Sequence, residues 1–244
     1  YWRNPNTGEV ERITEGCNVK PQAHACFISG PRDDLEDLLQ HACDESSIFS
    51  AGSGIGHDLS GIRGEGEPLS CGGEASGPIS FLVIYDDVAG TIKSGGKSRR
   101  AARMTTMRGG SKEAHQDIAK FIRKKVGEDR KALILMQNGY EPGMDGEAYG
   151  TVTLQNTNLS VRLDGEFFEK VKNGEKISLR RVTDGSIVEE MDANRMLQEI
   201  SFGSWRIGDP GIQYETPIQE WHTTKNSGRI NSSNPCSEFM NVDN

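Results

Sequence analysis

The segment Asn234-Pro235-Cys236-Ser237-Glu238 places three polar or reactive side chains at alternate positions of the sequence. Pro235 fixes its own φ and favours an extended conformation at Asn234, so the segment is predicted to be strand-like or a stiff loop. Residues two apart in an extended segment face the same side. An amide, a thiol and a carboxylate directed to one volume could hold a substrate and move a hydrogen atom or a proton. A buried cysteine in a turn is the simpler interpretation of the same spacing.

The composition restricts the class of protein. A chain of 244 residues can form one large α/β domain or two small ones. Its 28 Lys and Arg against 36 Asp and Glu give a net charge of −8, which disfavours duplex nucleic acid or an anionic membrane as the main partner. Because we find neither a bilayer-spanning apolar run nor a signal-peptide pattern, a cytoplasmic location is expected. The start at Tyr1 and the stop soon after Cys236 suggest a fragment.

The five cysteines are odd in number and scattered, at Cys17, Cys26, Cys43, Cys71 and Cys236. This distribution favours reduced thiols over a disulfide framework. The chain has no C-x-x-C pair, and the neighbouring His24 and Cys26 are a poor metal signature, so no metal site is predicted.

Several helices and strands are predicted around these residues. Apolar periodicity behind capping residues predicts helices at 33–42, 78–88, 111–127, 166–172 and 192–205. Strand patterns occur at 23–28, within 151–162, at 211–214, and in hairpins at 9–13 and 177–189. The run 131–136 fits a buried strand or a short core helix. Strands separated by helices indicate an α/β architecture with a substantially parallel core in one large domain, residues 1–244.

Two glycine-rich segments separate these elements. Residues 52–77 are the most glycine-dense part of the chain, where backbone can approach a ligand closely or form a surface loop. The second segment, 94–100, contains Gly-Gly-Lys-Ser, but Thr91 stands where a phosphate-binding P-loop requires its first glycine. Four basic side chains in this segment or directly before it could contact phosphates or belong to a solvated loop: Lys93, Lys97, Arg99 and Arg100.

Taken in order, five segments closely resemble the catalytic subunit of ribonucleotide reductases. They are residues 21–28, 52–63, 94–102, 155–158 and 234–238. The proline before Cys236 and the Lys-Ser-Arg-Arg loop are most similar to the adenosylcobalamin-dependent, or class II, branch. The resemblance implies a ten-stranded α/β barrel with the radical cysteine on an inner loop, of which residues 1–244 are an incomplete part.

The resemblance also implies a role for each candidate catalytic residue in reducing ribonucleotides to 2′-deoxyribonucleotides for DNA synthesis. With adenosylcobalamin as cofactor, Cys236 would become a thiyl radical and take the 3′ hydrogen of the ribose. Glu238 would remove the 3′-hydroxyl proton, and Asn234 would orient the hydroxyls. Cys26 matches one thiol of the reducing pair, whose partner lies beyond residue 244 in the family. A thioredoxin-like or glutaredoxin-like reductant would regenerate the pair.

Regulation is implied by the same resemblance. A dNTP or ATP effector would contact Asp33 and Arg63, although Ser70 stands where related enzymes carry a basic residue. Lys97 and Arg99 would lie in the specificity loop between effector and substrate. The resemblance is compatible with a homodimer and leaves open whether diphosphates or triphosphates are reduced.

Two other interpretations stay open at this point. A class I large subunit would receive its radical from a separate metal-containing subunit. A nucleotide-binding module without catalysis would use the two glycine-rich loops as a sensor.

Overall fold

Residues 2–3, 7–11, 24–92, 101–143 and 146–243 are described by a computed structural model. The strands, in chain order, are β1 (Trp2–Arg3), β2 (Val10–Glu11), β3 (Cys26–Ile28), β4 (Gly54–Asp58), β5 (Arg103–Arg108), β6 (Thr157–Leu163), β7 (Lys176–Arg180), β8 (Ile187–Asp192), β9 (Gly211–Tyr214), β10 (Ser232–Ser233) and β11 (Met240–Asn241). The helices are α1 (Leu35–Ser50), α2 (Pro78–Thr91), α3 (Ile118–Gln137), α4 (Glu147–Gly150), α5 (Gly165–Asn173), α6 (Ala193–Ile207) and α7 (Glu215–Glu220).

The central sheet consists of five parallel strands in the order β3-β4-β5-β6-β9, which confirms the predicted α/β class with a parallel core. Because side chains alternate along each strand, the sheet has two different faces. One face buries apolar residues such as Leu159 and Val161 beneath the helices. The opposite face, here called the polar face, carries Gly56, Asn158 and Gln213. It is the face against which the candidate site is built.

The helices pack in pairs over the apolar face, α1 beside α2 and α3 beside α6. Their shared core contains Leu82, Phe121, Phe167 and Ile200. Each such side chain stabilises the fold by roughly 1.5–3 kcal/mol when fully buried. Within the described residues, no helix combines the length and the apolar character needed to cross a membrane.

Several predicted helices and strands are confirmed where capping or turn residues next to them mark their ends. The Asp192 side chain accepts a hydrogen bond from Arg195 N at the start of α6, and Gly208 ends that helix in the left-handed conformation. Helices α2 and α5 and strand β9 lie where they were predicted. Strands β1 and β2 pair as a hairpin, as do β7 and β8 around Asp184-Gly185.

Helix α3 differs from its prediction at both ends. It begins after Asp117 rather than at Ser111, whose hydroxyl instead donates to Asp164. It also continues through Gly127 to Gln137, so the possible strand at 131–136 is the end of this helix. An added Cβ at Gly127 would meet no atom within 4 Å. A glycine in such an open position costs a helix only about 1 kcal/mol and does not end it.

Strands β4 and β5 were not predicted, and the apolar face of α1 was assigned incorrectly. Leu35 and Leu39 of α1 are 64% and 47% exposed, whereas His41 and Glu45 of the same helix are buried. Strand β4 is buried along its whole length although it contains two glycines, a histidine and an aspartate. The predicted strand at 23–28 is shorter, Cys26–Ile28, and its side chains are only half-buried.

Candidate functional site

The hairpin of β10 and β11 lies against the polar face and carries Cys236 at its turn. Two glycines of β4 make this close approach possible. A Cβ added at Gly56 would lie 1.6 Å from the carbonyl oxygen of Ser233, and one at Gly54 would lie 2.7 Å from Cγ of Pro235. Because no side chain fits at Gly56, the glycine allows backbone to pack on backbone.

Polar side chains of the sheet hold the hairpin in place. Asn158 Nδ2 donates to the carbonyl oxygen of Pro235 at 3.0 Å, and Thr106 Oγ1 donates to that of Asn231 at 3.1 Å. Gln213 Nε2 donates to the hydroxyl of Ser233 at 2.8 Å. Strands β5, β6 and β9 therefore each contribute a hydrogen bond to the hairpin.

The segment 234–238 forms a tight turn, so of the two predicted forms the strand-like one, with its extended geometry, is wrong. Ser237 N donates to Asn234 O at 3.1 Å, and Ser237 has a φ of 62°. Asn234 is buried and uses its side-chain oxygen to accept from Phe239 N at 3.0 Å, whereas Cys236 and Glu238 are exposed. Asn234, Cys236 and Glu238 therefore do not form one row. The alternative of a buried cysteine in a turn is right about the turn and wrong about burial.

Cys26 lies at the start of β3, beside Gly54 of β4, which packs against the turn. Its Cα is paired in register with that of Gly54, where an added Cβ would contact Pro235. Cys26 is half-buried, and both Cys26 and Cys236 are free thiols. The structure thus places Cys26 and the Cys236 turn on one region of the polar face.

A separate pocket of about 370 Å³ lies near the start of α1 and brings together Asp33 and Arg63. Arg63 Nε donates to Asp33 Oδ2 at 2.7 Å, and Arg63 N donates to Asp33 Oδ1 at 3.1 Å. Ser70, Cys71 and Phe81 are also among its lining residues. Each charged side chain of the pair is 25% exposed, so both remain accessible to a ligand in the pocket.

Lys97 and Arg99, predicted to contact ligand phosphates, lie outside the described residues, as do Lys93, Arg100 and Cys17.

A buried polar cluster that was not predicted lies beneath α1. His57 Nδ1 of β4 lies 3.0 Å from both Glu45 Oε1 and His41 Nε2, and His57 Nε2 lies 2.8 Å from Thr105 Oγ1. The guanidinium of Arg103 lies 3.6 Å from Glu45 and 5.1 Å from the ring centre of Tyr85. The spacing of His41 and Glu45, one helical turn apart, was the available signal.

The charges in this cluster balance. Burial favours the neutral acid, but Arg103 and the hydrogen bonds from His41 and His57 outweigh it and hold the pKa of Glu45 well below its usual value. Burial lowers the pKa of His57 to about 3, so this imidazole is neutral. His41, Glu45 and His57 are close enough to share a metal ion. Arg103, however, already supplies the positive charge beside the one carboxylate, and we assign the cluster a structural role.

Comparison with known proteins identifies the class. The family described as "Ribonucleotide reductase, barrel domain" matches residues 24–244. The chain belongs to this family.

Its relatives are more specific in name. A protein of Rhodopirellula baltica named vitamin B12-dependent ribonucleotide reductase is 47% identical over 225 residues, covering 91% of this chain and 21% of the relative. A protein of the same name from Streptomyces clavuligerus is 44% identical and covers 91% and 23%. The vitamin B12-dependent ribonucleoside-diphosphate reductase of Thermoplasma acidophilum is 30% identical and covers 89% and 25%. The chain thus spans about a fifth to a quarter of these relatives.

Proposed function

We propose that this chain is part of a vitamin B12-dependent ribonucleotide reductase that forms 2′-deoxyribonucleotides with a radical at Cys236. The observation that carries the proposal is the seating of the Cys236 turn on the glycines of β4, next to Cys26 on β3. A cysteine held by backbone packing is restricted in position, as hydrogen-atom transfer requires. The family and the names of the relatives supply the class of reaction.

Each candidate residue then has a defined task. The Cys236 sulfur takes the 3′ hydrogen of the ribose and later returns a hydrogen. Glu238 accepts the proton of the 3′-hydroxyl. Asn234 orients the substrate hydroxyls with its side-chain nitrogen, since its oxygen already accepts from Phe239. Cys26 provides one of the two thiols that are oxidised as the 2′-hydroxyl leaves as water.

Adenosylcobalamin would supply the initial radical when bound. The thiol of Cys236 is free and exposed at its turn, so within the described residues no side chain covers the sulfur that would give up its hydrogen atom. The chain's own contribution is to hold this sulfur at a fixed place on the polar face.

The ten-stranded barrel is part of the same proposal, with residues 1–244 forming one portion of the barrel domain. The described central sheet has five strands, and β3 and β9 are at its edges. Five further strands would cover the polar face and enclose Cys236. Excluding water there would protect a sulfur radical from side reactions.

A full-length reductase carrying this sequence should convert ribonucleotides to deoxyribonucleotides only when adenosylcobalamin is added. The assay is chromatography of the products with a dithiol reductant, comparing diphosphate and triphosphate substrates. Turnover that needs a metal-containing second subunit instead would identify the class I alternative. Tight nucleotide binding with no reduction under either condition would favour the non-catalytic module.

We further propose that the pocket at Asp33 and Arg63 binds a deoxynucleotide or ATP effector. The pocket supports this because an aspartate and an arginine with accessible heads line it beside apolar surface from Phe81. Arg63 would contact a phosphate, and Asp33 would hold the guanidinium in position. Lys97 and Arg99 would connect this site to the substrate. The enzyme would be a cytoplasmic homodimer. A thioredoxin-like or glutaredoxin-like protein would regenerate its thiols.

Arg63→Ala should weaken effector binding by about tenfold or more while changing substrate binding less than twofold, because a hydrogen bond to a charged group contributes about 1.5–3 kcal/mol. Effector and substrate affinities would be measured separately by equilibrium dialysis. Arg32→Ala is the matched control, since Arg32 is exposed and pairs with Asp37 outside the pocket lining. An equal loss of both affinities would exclude an effector site.

A further inference from the structure

Gln213 of β9 lies directly beneath the turn that carries Cys236 and contacts two of its hydroxyls. The amide is 3% exposed. Its Nε2 donates to Ser233 Oγ at 2.8 Å and to Ser237 Oγ at 3.0 Å. Both N–H groups of the amide therefore have partners, and both partners belong to the hairpin.

The orientation of this amide is fixed from its other end. Arg162 NH1 donates to Gln213 Oε1 at 3.3 Å, and a guanidinium can only donate, so the amide oxygen must face Arg162. Arg162 is in turn held by Glu215, with Nε donating to Oε2 at 2.6 Å. Arg229 donates to the other oxygen of Glu215 at 2.8 and 3.0 Å. The buried pair of Arg162 and Glu215, with the partly exposed Arg229 behind it, thus directs the NH₂ group of Gln213 toward the serines.

The two hydroxyls connect Gln213 to the conformation of the turn. Ser237 stands between Cys236 and Glu238 and has a φ of 62°, which is unfavourable for a residue other than glycine. Its hydroxyl lies 3.0 Å from Ser233 Oγ, and Ser233 Oγ donates to Asn234 O at 2.9 Å. Because the Ser237 hydroxyl is bonded on the side of the sheet, its neighbours Cys236 and Glu238 are on the exposed side of the turn.

We propose that Gln213 is a positioning residue for Cys236 and Glu238, acting through the hydroxyls of Ser233 and Ser237. This assignment rests on the proposed reductase function for its kinetic consequence, although the positioning itself can be measured without turnover. Gln213 does not touch the substrate in this proposal. It determines which way the turn faces.

The first test is Gln213→Met in a full-length reductase carrying this sequence. Methionine has a similar length and no amide, so kcat should fall by up to about 100-fold, the loss expected when a reacting group is misplaced by about 1 Å. KM should change by less than twofold, because substrate contacts remain. Gln219→Met is the matched control, since the bonds of Gln219 within the described part of the chain are to the backbone of Ile230, at the base of the hairpin. An unchanged kcat, or an equal loss in the control, would overturn the proposal.

A second variant removes the hydroxyl without disturbing the buried charges. Ser237→Gly keeps the left-handed conformation available and removes the hydroxyl with its hydrogen bonds, although it also makes the backbone freer. It should lower kcat several-fold, and the Gln213→Met and Ser237→Gly double variant should be no worse than Gln213→Met alone. Losses that multiply in the double variant would show that Gln213 does not act through Ser237.

Hydrogen exchange separates this proposal from the proposed function. In Gln213→Met, the amides of Ser237 and Phe239 should exchange at least about tenfold faster than in the parent, corresponding to about 1.4 kcal/mol less protection, and those in Gln219→Met should not. If Gln213→Met exchanges faster than its parent but the parent itself shows no reductase activity, the positioning role is retained and the proposed function is rejected. Unchanged exchange in Gln213→Met would reject the positioning role itself.

Discussion

Cys236→Ala in a full-length reductase carrying this sequence is expected to abolish deoxyribonucleotide formation and to leave effector binding unchanged. No other side chain in the turn can form a sulfur radical, so no partial activity should remain. The turn itself should survive, because its hydrogen bonds use backbone atoms and the side chains of Asn234, Ser233 and Ser237 rather than the thiol. Product formation and effector affinity would be measured on the same preparation.

Cys43→Ala provides the control for a general effect of removing a thiol. Cys43 is exposed on α1, away from the polar face, and its substitution should leave kcat within about twofold. Cys26→Ala should differ from both, because it removes a reducing thiol and not the proposed radical site. Turnover retained by Cys236→Ala with adenosylcobalamin would reject the radical assignment.

Glu45→Gln should destabilise the protein by about 3–5 kcal/mol, because it leaves the charge of Arg103 buried without its carboxylate. The amide is the same size as the carboxylate, so packing is preserved and the loss is electrostatic. Chemical unfolding of the full-length protein, followed by fluorescence, would measure the change. The exposed Glu36→Gln on the same helix changes the same charge and should alter stability by less than about 0.5 kcal/mol.

Combining Glu45→Gln with Arg103→Met tests the charge argument directly. If Glu45 acts by neutralising Arg103, the double variant should lose much less stability than the sum of the two single losses, since neither buried charge remains. Additive losses would show that the cluster stabilises the fold through separate contacts.

The parts of the fold that could be predicted are those whose signals are local. Helix α6 was predicted to within two residues at both ends because Asp192 and Gly208 act within one turn of the helix. Strand β4 could not be predicted because its two glycines carry no hydrophobic pattern. They are required by a hairpin that lies about 180 residues further along the chain. Likewise, His41 and Glu45 are buried by partners on β4 and β5 rather than by their own polarity.

In the candidate site, the sequence indicated which residues take part but not how they are arranged. The resemblance selected Asp33 and Arg63, and the structure pairs them in one pocket. Pro235 led to an extended prediction for its segment, but the two hydrogen bonds between Asn234 and Phe239 close a turn. Gln213 could not have been identified from the sequence, because its role depends on the register of β9 beside β6.

The contact between Gly56 and the Ser233 carbonyl has a consequence for how this sequence can diverge. A backbone-to-backbone contact is insensitive to the identity of most hairpin side chains, so residues such as Met240 and Phe239, both partly or fully exposed, are free to vary. Gly56 is not, since even alanine would push the hairpin off the sheet. The chemistry at Cys236 would thus depend most strictly on a residue that has no functional group.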